Sequence, residues 1–101
     1  MRLFTLRMDQ KTEEFFERLK TELDNSNEWP AEYLFKFIVP TDQTKIDTVE
    51  NAFNGLGAVM KTKKSKNESY TSISVNVQME SAQQIIDKYK EVYTIEGIIS
   101  L

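Results

Sequence analysis

The strongest constraint on the fold is a run of ten residues, Tyr70–Met79, in which polar and apolar side chains largely alternate. Successive side chains of a strand point to opposite faces of a sheet, so this period of two predicts a strand with one buried and one wet face. The positions expected to face the core are Ile73, Val75, Val77 and Met79, and those expected to face water are Ser72, Ser74, Asn76 and Gln78.

Three further segments are predicted to be strands. Residues 32–39 are dense in aromatic and β-branched side chains, and Lys36 marks the less buried of the two faces. Residues 58–66 form a lysine-rich second strand, and residues 94–101 form the last one. On the first strand the expected core positions are Phe35, Phe37 and Val39, opposite Leu34, Lys36 and Ile38.

Helical spacing of apolar residues predicts a helix after the first strand and another after the third. The first of these helices follows Thr41 or Asp42 as its N-cap, and the second spans residues 81–93 and opens on Ser81. The order strand, helix, strand, strand, helix, strand over residues 32–101 predicts an α+β fold. It is the ferredoxin-like βαββαβ two-layer sandwich, with an antiparallel sheet in the order 4-1-3-2.

An N-terminal extension, residues 1–28, precedes this domain of residues 29–101. Residues 12–24 are predicted to form an amphipathic helix with Thr12 as its N-cap. Its apolar stripe consists of Phe15, Phe16, Leu19 and Leu23. Because Ile95, Ile98, Ile99 and Leu101 make the last strand more apolar than an exposed strand requires, we expect a cover over it. Either this stripe or a second subunit could provide that cover.

Composition excludes several kinds of chemistry. The chain has no cysteine and no histidine, which removes thiolate sites, disulfides and the usual general base near neutral pH. It also lacks phosphate-binding glycine loops, and the loop of residues 40–44 has no arginine of the acylphosphatase type. We therefore expect no enzymatic activity, no cofactor and no metal site. The missing cysteine and the lack of a long apolar run lead us to expect a cytoplasmic protein without a membrane anchor.

Four lysines within six residues are the main anomaly in the charge pattern: Lys61, Lys63, Lys64 and Lys66. In the predicted order they belong to an edge strand, where lysines prevent pairing with other chains. Alternatively they contact an anion, a partner or a nucleic acid, together with Lys36 and Tyr70 on the same open face. The net charge of −3 favours edge protection, and Tyr70 alone is a poor platform for stacking bases.

Several segments resemble the YbeD-like family of small bacterial proteins of unknown function. They are Trp29-Pro30, Phe35-Lys36-Phe37-Ile38-Val39, Lys63-Lys64-Ser65-Lys66 and Tyr70-Thr71-Ser72-Ile73-Ser74-Val75. The resemblance covers residues 29–101 and implies a ferredoxin-like fold similar to the ACT regulatory domains. It implies a ligand loop at Thr41 and Asp42, although that loop has no glycine. Relatives begin near Met8, which would make residues 1–7 an upstream addition.

Two functions are consistent with these features of the sequence. The first is a non-catalytic regulatory or protein-interaction module that associates with itself or with another protein. Such a module could also bind a small ligand. The alternative is a nucleic-acid-associated protein that uses Lys36 and the lysine-rich second strand.

Overall fold

The structure is a computed structural model that describes residues 10–101, and this part of the chain contains three helices and four strands. In chain order they are α1 (Gln10–Ser26), β1 (Ala31–Pro40), α2 (Gln43–Ala52), β2 (Val59–Lys64), β3 (Tyr70–Met79), α3 (Ala82–Val92) and β4 (Ile99–Ser100). The expectation for residues 1–7 lies outside the described residues. Within residues 10–101, no helix combines the length and the apolar character needed to cross a membrane.

The four strands form one sheet in the order β2-β3-β1-β4, and every neighbouring pair is antiparallel. This confirms the predicted α+β class and the predicted strand order. The longest ladder joins β1 and β3 over ten residue pairs, from Ala31 opposite Met79 to Pro40 opposite Tyr70. That ladder makes β1 and β3 the central strands and leaves β2 and β4 at the edges.

One face of the sheet is the core. Phe35, Phe37 and Val39 of β1 are fully buried, as are Ile73 and Val75 of β3. The predicted alternation of both strands is therefore confirmed. Burying a side chain as large as Phe stabilises a fold by about 1.5–3 kcal/mol, so this face contributes a large part of the driving force. Helices α2 and α3 pack against this side of the sheet.

Both of these helices begin at a side-chain cap. Asp42 precedes α2, and its Oδ1 accepts hydrogen bonds from the backbone N–H of Thr44 at 2.8 Å and of Lys45 at 3.4 Å. Ser81 precedes α3, and its Oγ accepts from the N–H of Gln84 at 3.1 Å. Such caps satisfy backbone donors that have no partner inside the helix. Of the two predicted caps for α2, Asp42 is the one used.

The last strand is much shorter than predicted. Only Ile99 and Ser100 pair with β1, because residues 93–97 form turns that end with Gly97 at φ 83°. These turns carry Ile95 and Ile98 into the core, where they are 8% and 1% exposed. Ile95 and Ile98 are thus buried by the chain's own core. Neither α1 nor a second subunit is needed to cover these two residues.

The predicted N-terminal helix is present, but it is longer than residues 12–24, and Thr12 lies inside it rather than at its N-cap. It does not cover the open side of the sheet. Phe16 of α1 is buried, and its ring centroid lies 6.4 Å from that of Tyr89 and 6.0 Å from that of Tyr93, on α3 and just after it. Lys90 Nζ lies 3.8 Å from Glu13 Oε1 and 5.7 Å from the centre of the Phe16 ring. Phe16 and Leu23 of the predicted stripe are therefore buried, whereas Phe15 stays 37% exposed. The other face of the sheet is bare of the described helices.

Candidate functional site

The bare side of the sheet, here named the open face, is formed by the side chains that alternate away from the core. Its members are Glu32, Leu34, Lys36 and Ile38 of β1, Val59, Lys61 and Lys63 of β2, Tyr70, Ser72, Ser74, Asn76 and Gln78 of β3, and Ile99 of β4. Leu34 is 51% exposed, Val59 62% and Tyr70 48%. Large side chains are thus left in water at the centre of the sheet as well as at its rim.

The strand register arranges these side chains in rows across β2, β3 and β1. Ser74 lies opposite Lys61 on one side and opposite Lys36 on the other, so the two lysines flank one hydroxyl. Directly opposite residues in an antiparallel pair have Cβ atoms about 4.5–5.5 Å apart, which puts all three within contact range. Two neighbouring rows are Val59–Asn76–Leu34 and Lys63–Ser72–Ile38.

A shallow groove runs along β3, because that strand presents small side chains between two strands with longer ones. Its floor is Ser72, Ser74 and Asn76, while β1 and β2 form the walls. The groove consists of two depressions of about 290 Å³ and 220 Å³. The larger depression is lined by Leu34, Lys36, Val59, Lys61, Ser74 and Asn76, and the smaller by Ile38, Lys63, Lys64, Ser65, Tyr70 and Ser72. We call this feature the β3 groove.

The charge of the β3 groove is positive. Among residues 10–101, no carboxylate lies within 4.0 Å of the ammonium groups of Lys36, Lys61 or Lys63. The acidic member of the open face, Glu32, pairs with Gln78 in a row beyond Leu34 and Asn76. Charges without a nearby partner are free to contact an incoming anion, and the groove concentrates three of them.

The structure brings together only part of the predicted lysine cluster. Lys61 and Lys63 share the open face with Lys36 and Tyr70, although these four residues are spread over three strands. Lys64 alternates to the other side of β2, and its Nζ lies 4.0 Å from Glu68 Oε1. The remaining lysine of the cluster, Lys66, lies in the turn after β2.

The turn between β2 and β3 fixes the end of the groove. Asn67 Oδ1 accepts hydrogen bonds from the N–H of Ser69 and from the Oγ of Ser65, both at 3.0 Å. The N–H of Ser65 donates to the carbonyl oxygen of Tyr70 at 2.7 Å. These hydrogen bonds close the hairpin turn between β2 and β3 and hold the backbone of Tyr70 in place.

The predicted ligand loop lies beyond that end of the groove and already has internal partners. Thr41 Oγ1 is 2.9 Å from Thr71 Oγ1, and the Thr41 N–H donates to the carbonyl oxygen of Ser69 at 2.9 Å. The carboxylate of Asp42 caps α2. The structure therefore does not bring Thr41 and Asp42 together with the lysines of the open face.

Tyr89 and Tyr93 have raised pKa values, and both lie on the helical side of the sheet. The hydroxyls of Tyr33 and Tyr89 are 2.7 Å apart. Burial raises the pKa of Tyr89 well above its usual range, and the hydrogen bond to Tyr33 acts in the same direction. Burial also raises the pKa of Tyr93. The raised pKa values keep the phenols of Tyr89 and Tyr93 neutral at physiological pH, which suits a packing role rather than proton transfer.

The sequence did not predict the groove, nor that Leu34 and Val59 form part of its walls. The available signal was the small size of the side chains at alternate positions of β3, next to larger ones on the strands predicted to flank it. Small side chains along one strand form a groove only when the larger side chains of the neighbouring strands lie directly opposite them. The pattern can therefore be interpreted only when the strand pairing is known.

Comparison with known proteins places the chain in a family. No curated protein and no solved structure matches it. A family model described as "Protein of unknown function (DUF493)" matches residues 24–101, a span that contains the whole sheet and both helices of its core face. Because the match covers well over half of the chain, the protein belongs to the DUF493 family.

Proposed function

We propose that this protein is a non-catalytic protein-interaction module, and that the open face is its binding surface for a partner protein with an acidic segment. The observation that carries the proposal is the bare central row of Lys36 and Lys61 around Ser74, with exposed Leu34 and Val59 beside it. Aliphatic groups supply contact area and the uncompensated lysines supply charge complementarity.

The element order supports a finer description of the fold as part of the same proposal. A βαββαβ order with both crossover helices on one face is that of the ferredoxin-like sandwich, which the YbeD-like resemblance and the ACT regulatory domains share. A regulatory role in the bacterial cytoplasm is then an analogy at the level of the fold. A small ligand at Asp42 is less well supported, since that carboxylate already binds helix amides.

The residues of the open face support binding more than catalysis. The Ser72 hydroxyl already donates to the carbonyl oxygen of Lys63 at 3.3 Å. Ser74 lies opposite two lysines, and an ammonium group can donate a hydrogen bond to a hydroxyl but cannot accept its proton. The carboxylate of Glu32 is two rows away from Ser74. Such a surface suits the binding of an anionic group better than its chemical conversion.

Charge also favours a different protein over a second copy of this chain. Two open faces packed together would place the lysines of one copy against those of the other, and juxtaposed like charges cost several kcal/mol at an interface. On α3, by contrast, the carboxylate of Glu91 is paired with Lys88 Nζ at 3.0 Å, so the helical side of residues 10–101 offers no comparable group of lysines to an acidic partner.

Site-specific photo-crosslinking in the cells that produce the protein tests the proposal. A photoreactive amino acid replaces Leu34 on the open face or, as the control, Gln83 on the exposed side of α3. We expect one discrete protein adduct from position 34, none from position 83, and loss of the adduct when Lys36→Ser and Lys61→Ser are added.

Four outcomes would overturn the proposal. They are an adduct of two identical chains, an adduct removed by nuclease, an adduct of equal yield from position 83, and no adduct at position 34.

Nucleic-acid association is the second candidate, and it is favoured by the same three lysines, which have no carboxylate within 4.0 Å among residues 10–101. Three phosphate contacts to a single strand predict an affinity that falls about twentyfold between 50 and 200 mM salt, because counterions are released on binding. Fluorescence anisotropy with a labelled oligothymidylate at the two salt concentrations measures this. Binding without that salt dependence, or binding unchanged by Lys36→Ser with Lys61→Ser, would exclude these lysines as the phosphate contacts.

A further inference from the structure

The β3 groove is wide enough for one row of side chains from an extended chain that lies along β3. Its two walls, on β1 and β2, are separated by two strand spacings, or about 9.5 Å between backbones. Side chains narrow this gap to roughly the width of one row of side chains. Along the groove, successive rows are two residues apart, which is about 6.7 Å. In an extended peptide that lies along β3, every second side chain points toward the sheet. The spacing of these side chains therefore equals the spacing of the rows.

The three rows differ in chemistry. The Val59–Asn76–Leu34 row has aliphatic side chains on both walls. The next row, with Lys61 and Lys36, has a lysine on both walls and the Ser74 hydroxyl between them. A carboxylate lowered into that row would face two ammonium groups and one hydroxyl donor.

The last row is mixed and ends the groove. Ile38 stands on one wall and Lys63 on the other, with Ser72 between them. Beyond it stands Tyr70, whose ring is half exposed. This row accepts a second acidic side chain on its Lys63 wall. From one end to the other, the groove therefore offers an apolar, then a doubly basic, then a singly basic position.

We infer that the β3 groove binds an extended acidic peptide segment of a partner protein with the pattern apolar–x–acidic–x–acidic. The apolar side chain packs between Leu34 and Val59, the first carboxylate lies between Lys36 and Lys61, and the second meets Lys63. This inference rests on the proposed function and specifies its ligand. It follows from the match between strand period and row spacing together with the charge of each row.

A peptide is favoured over a single-stranded nucleic acid by the kind of apolar group in the groove. Bases bind through stacking on aromatic rings, and Tyr70 is the single aromatic side chain on the open face of the described strands. Leu34 and Val59 instead form an aliphatic pair, which suits the packing of an aliphatic side chain. Nucleic acid is therefore an outcome of the test.

The inference is tested by titrating the full chain with short acetylated peptides and following its backbone amides by NMR. The probe contains Leu-Ser-Glu-Ser-Glu within a serine and glycine context, and the permuted control contains Leu-Ser-Ser-Glu-Glu at the same charge. A third peptide has Gln at both Glu positions, and a labelled oligothymidylate and inorganic phosphate complete the series. We expect the probe to shift the amides of Ser72, Ser74 and Asn76.

The permuted peptide is expected to bind about three- to tenfold more weakly, because only one of its carboxylates can point into the groove. The pair Lys36→Ser with Lys61→Ser is expected to weaken the probe by a similar factor. The matched pair Lys11→Ser with Lys20→Ser removes equal charge from α1 and should leave binding unchanged.

Several results would overturn the inference. Equal affinity for the probe and the permuted peptide would show that charge alone, and not row spacing, is recognised. Phosphate binding as tight as the probe would indicate a simple anion site, and tighter oligothymidylate binding would indicate a nucleic-acid surface. If no peptide binds while the crosslink from position 34 persists, the interaction module stands and the ligand class is wrong.

Discussion

The phenol oxygens of Tyr33 and Tyr89 lie 2.7 Å apart, which joins the start of β1 to the middle of α3. The ring of Tyr89 also packs against Phe35 at a centroid distance of 5.1 Å and against Phe16 at 6.4 Å. Strand, core helix and N-terminal helix therefore meet at one side chain. The hydroxyl of Tyr89 needs a partner because an unpaired buried hydroxyl is costly, and Tyr33 provides it.

Stability should fall at alkaline pH, with Tyr89 as a main cause. Its folded pKa is raised above the ordinary value of 10.0, so the native state holds its proton more tightly than the unfolded chain does. The resulting stabilisation is complete below about pH 10 and is lost as the pH rises from there through the folded pKa. Urea unfolding followed by circular dichroism between pH 8 and 11 measures this slope.

The variant Tyr89→Phe identifies the group responsible. It should lower the free energy of unfolding by about 1 kcal/mol at pH 8 through loss of the hydrogen bond, and it should flatten the decline above pH 10. The control, Tyr70→Phe, changes a half-exposed tyrosine on the open face and should keep the wild-type slope. An unchanged slope in Tyr89→Phe would contradict the assignment.

Adjacent phenylalanines of α1 should differ sharply in their effect on stability. Phe16 is 2% exposed and packs on the tyrosines of the helical layer, whereas Phe15 is 37% exposed. Phe16→Ala should cost about 3–5 kcal/mol, and Phe15→Ala much less. Chemical denaturation of both variants measures the difference. Equal costs would show that α1 is not packed against α3 as described.

Gly97 should be less tolerant of a side chain than Gly55, although both have φ 83°. A β-carbon at Gly97 would lie 2.8 Å from Cγ of Pro40, while one at Gly55 would meet no atom within 4 Å. Both alanine variants carry the strain of the left-handed conformation, about 1–2 kcal/mol. Gly97→Ala should lose about 1–3 kcal/mol more from overpacking. Thermal unfolding compares the two, and equal losses would contradict the contact with Pro40.

Asp42 should behave as a helix cap. Asp42→Ala is expected to destabilise the fold by about 0.5–2 kcal/mol, because two amides at the start of α2 lose their acceptor. Asp47→Ala is the control, since that exposed carboxylate accepts only from the side chain of Gln43 among the hydrogen bonds described. Denaturation midpoints report the difference. No loss of stability in Asp42→Ala would free this carboxylate for the ligand role that the family resemblance implies.

The lysines of β2 should also protect this edge strand from pairing with other chains. Lys61→Gln with Lys63→Gln should leave the far-ultraviolet spectrum unchanged but accelerate aggregation, measured by light scattering at elevated concentration. Lys11→Gln with Lys20→Gln removes the same charge from α1. If the two double variants aggregate at the same rate, the loss of net charge alone explains the aggregation, and protection of the edge strand by these lysines is excluded.

Local patterns predicted most of the secondary structure. The alternation in Tyr70–Met79 specified β3 to the residue, and the capping residues Asp42 and Ser81 marked the starts of α2 and α3. The last strand was wrong in length because residues 93–97 are apolar enough for a strand yet turn through Gly97. Burial of Ile95 and Ile98 in the core overrode their local preference for an extended chain.

The open face was only partly predictable. Lys36, Tyr70 and the lysines of β2 could be assigned to it from side-chain alternation along each strand. The flanking of Ser74 by Lys36 and Lys61 could not, because it depends on the register of two ladders and on which strands are neighbours. Of the two covers considered for the last strand, α1 is not the one, and the sequence could not decide this, since an amphipathic stripe shows that a helix is buried but not against what.

The sequence by itself determined the order of the elements, the faces of the two central strands and the absence of histidine and cysteine. These properties follow from side-chain period, capping chemistry and composition, which act over a few residues. Only the tertiary structure decided that α1 packs on α3, that β4 is two residues long, and that Lys36, Lys61 and Lys63 come together along one groove. These are contacts between residues far apart in the chain, and packing and strand register select them collectively.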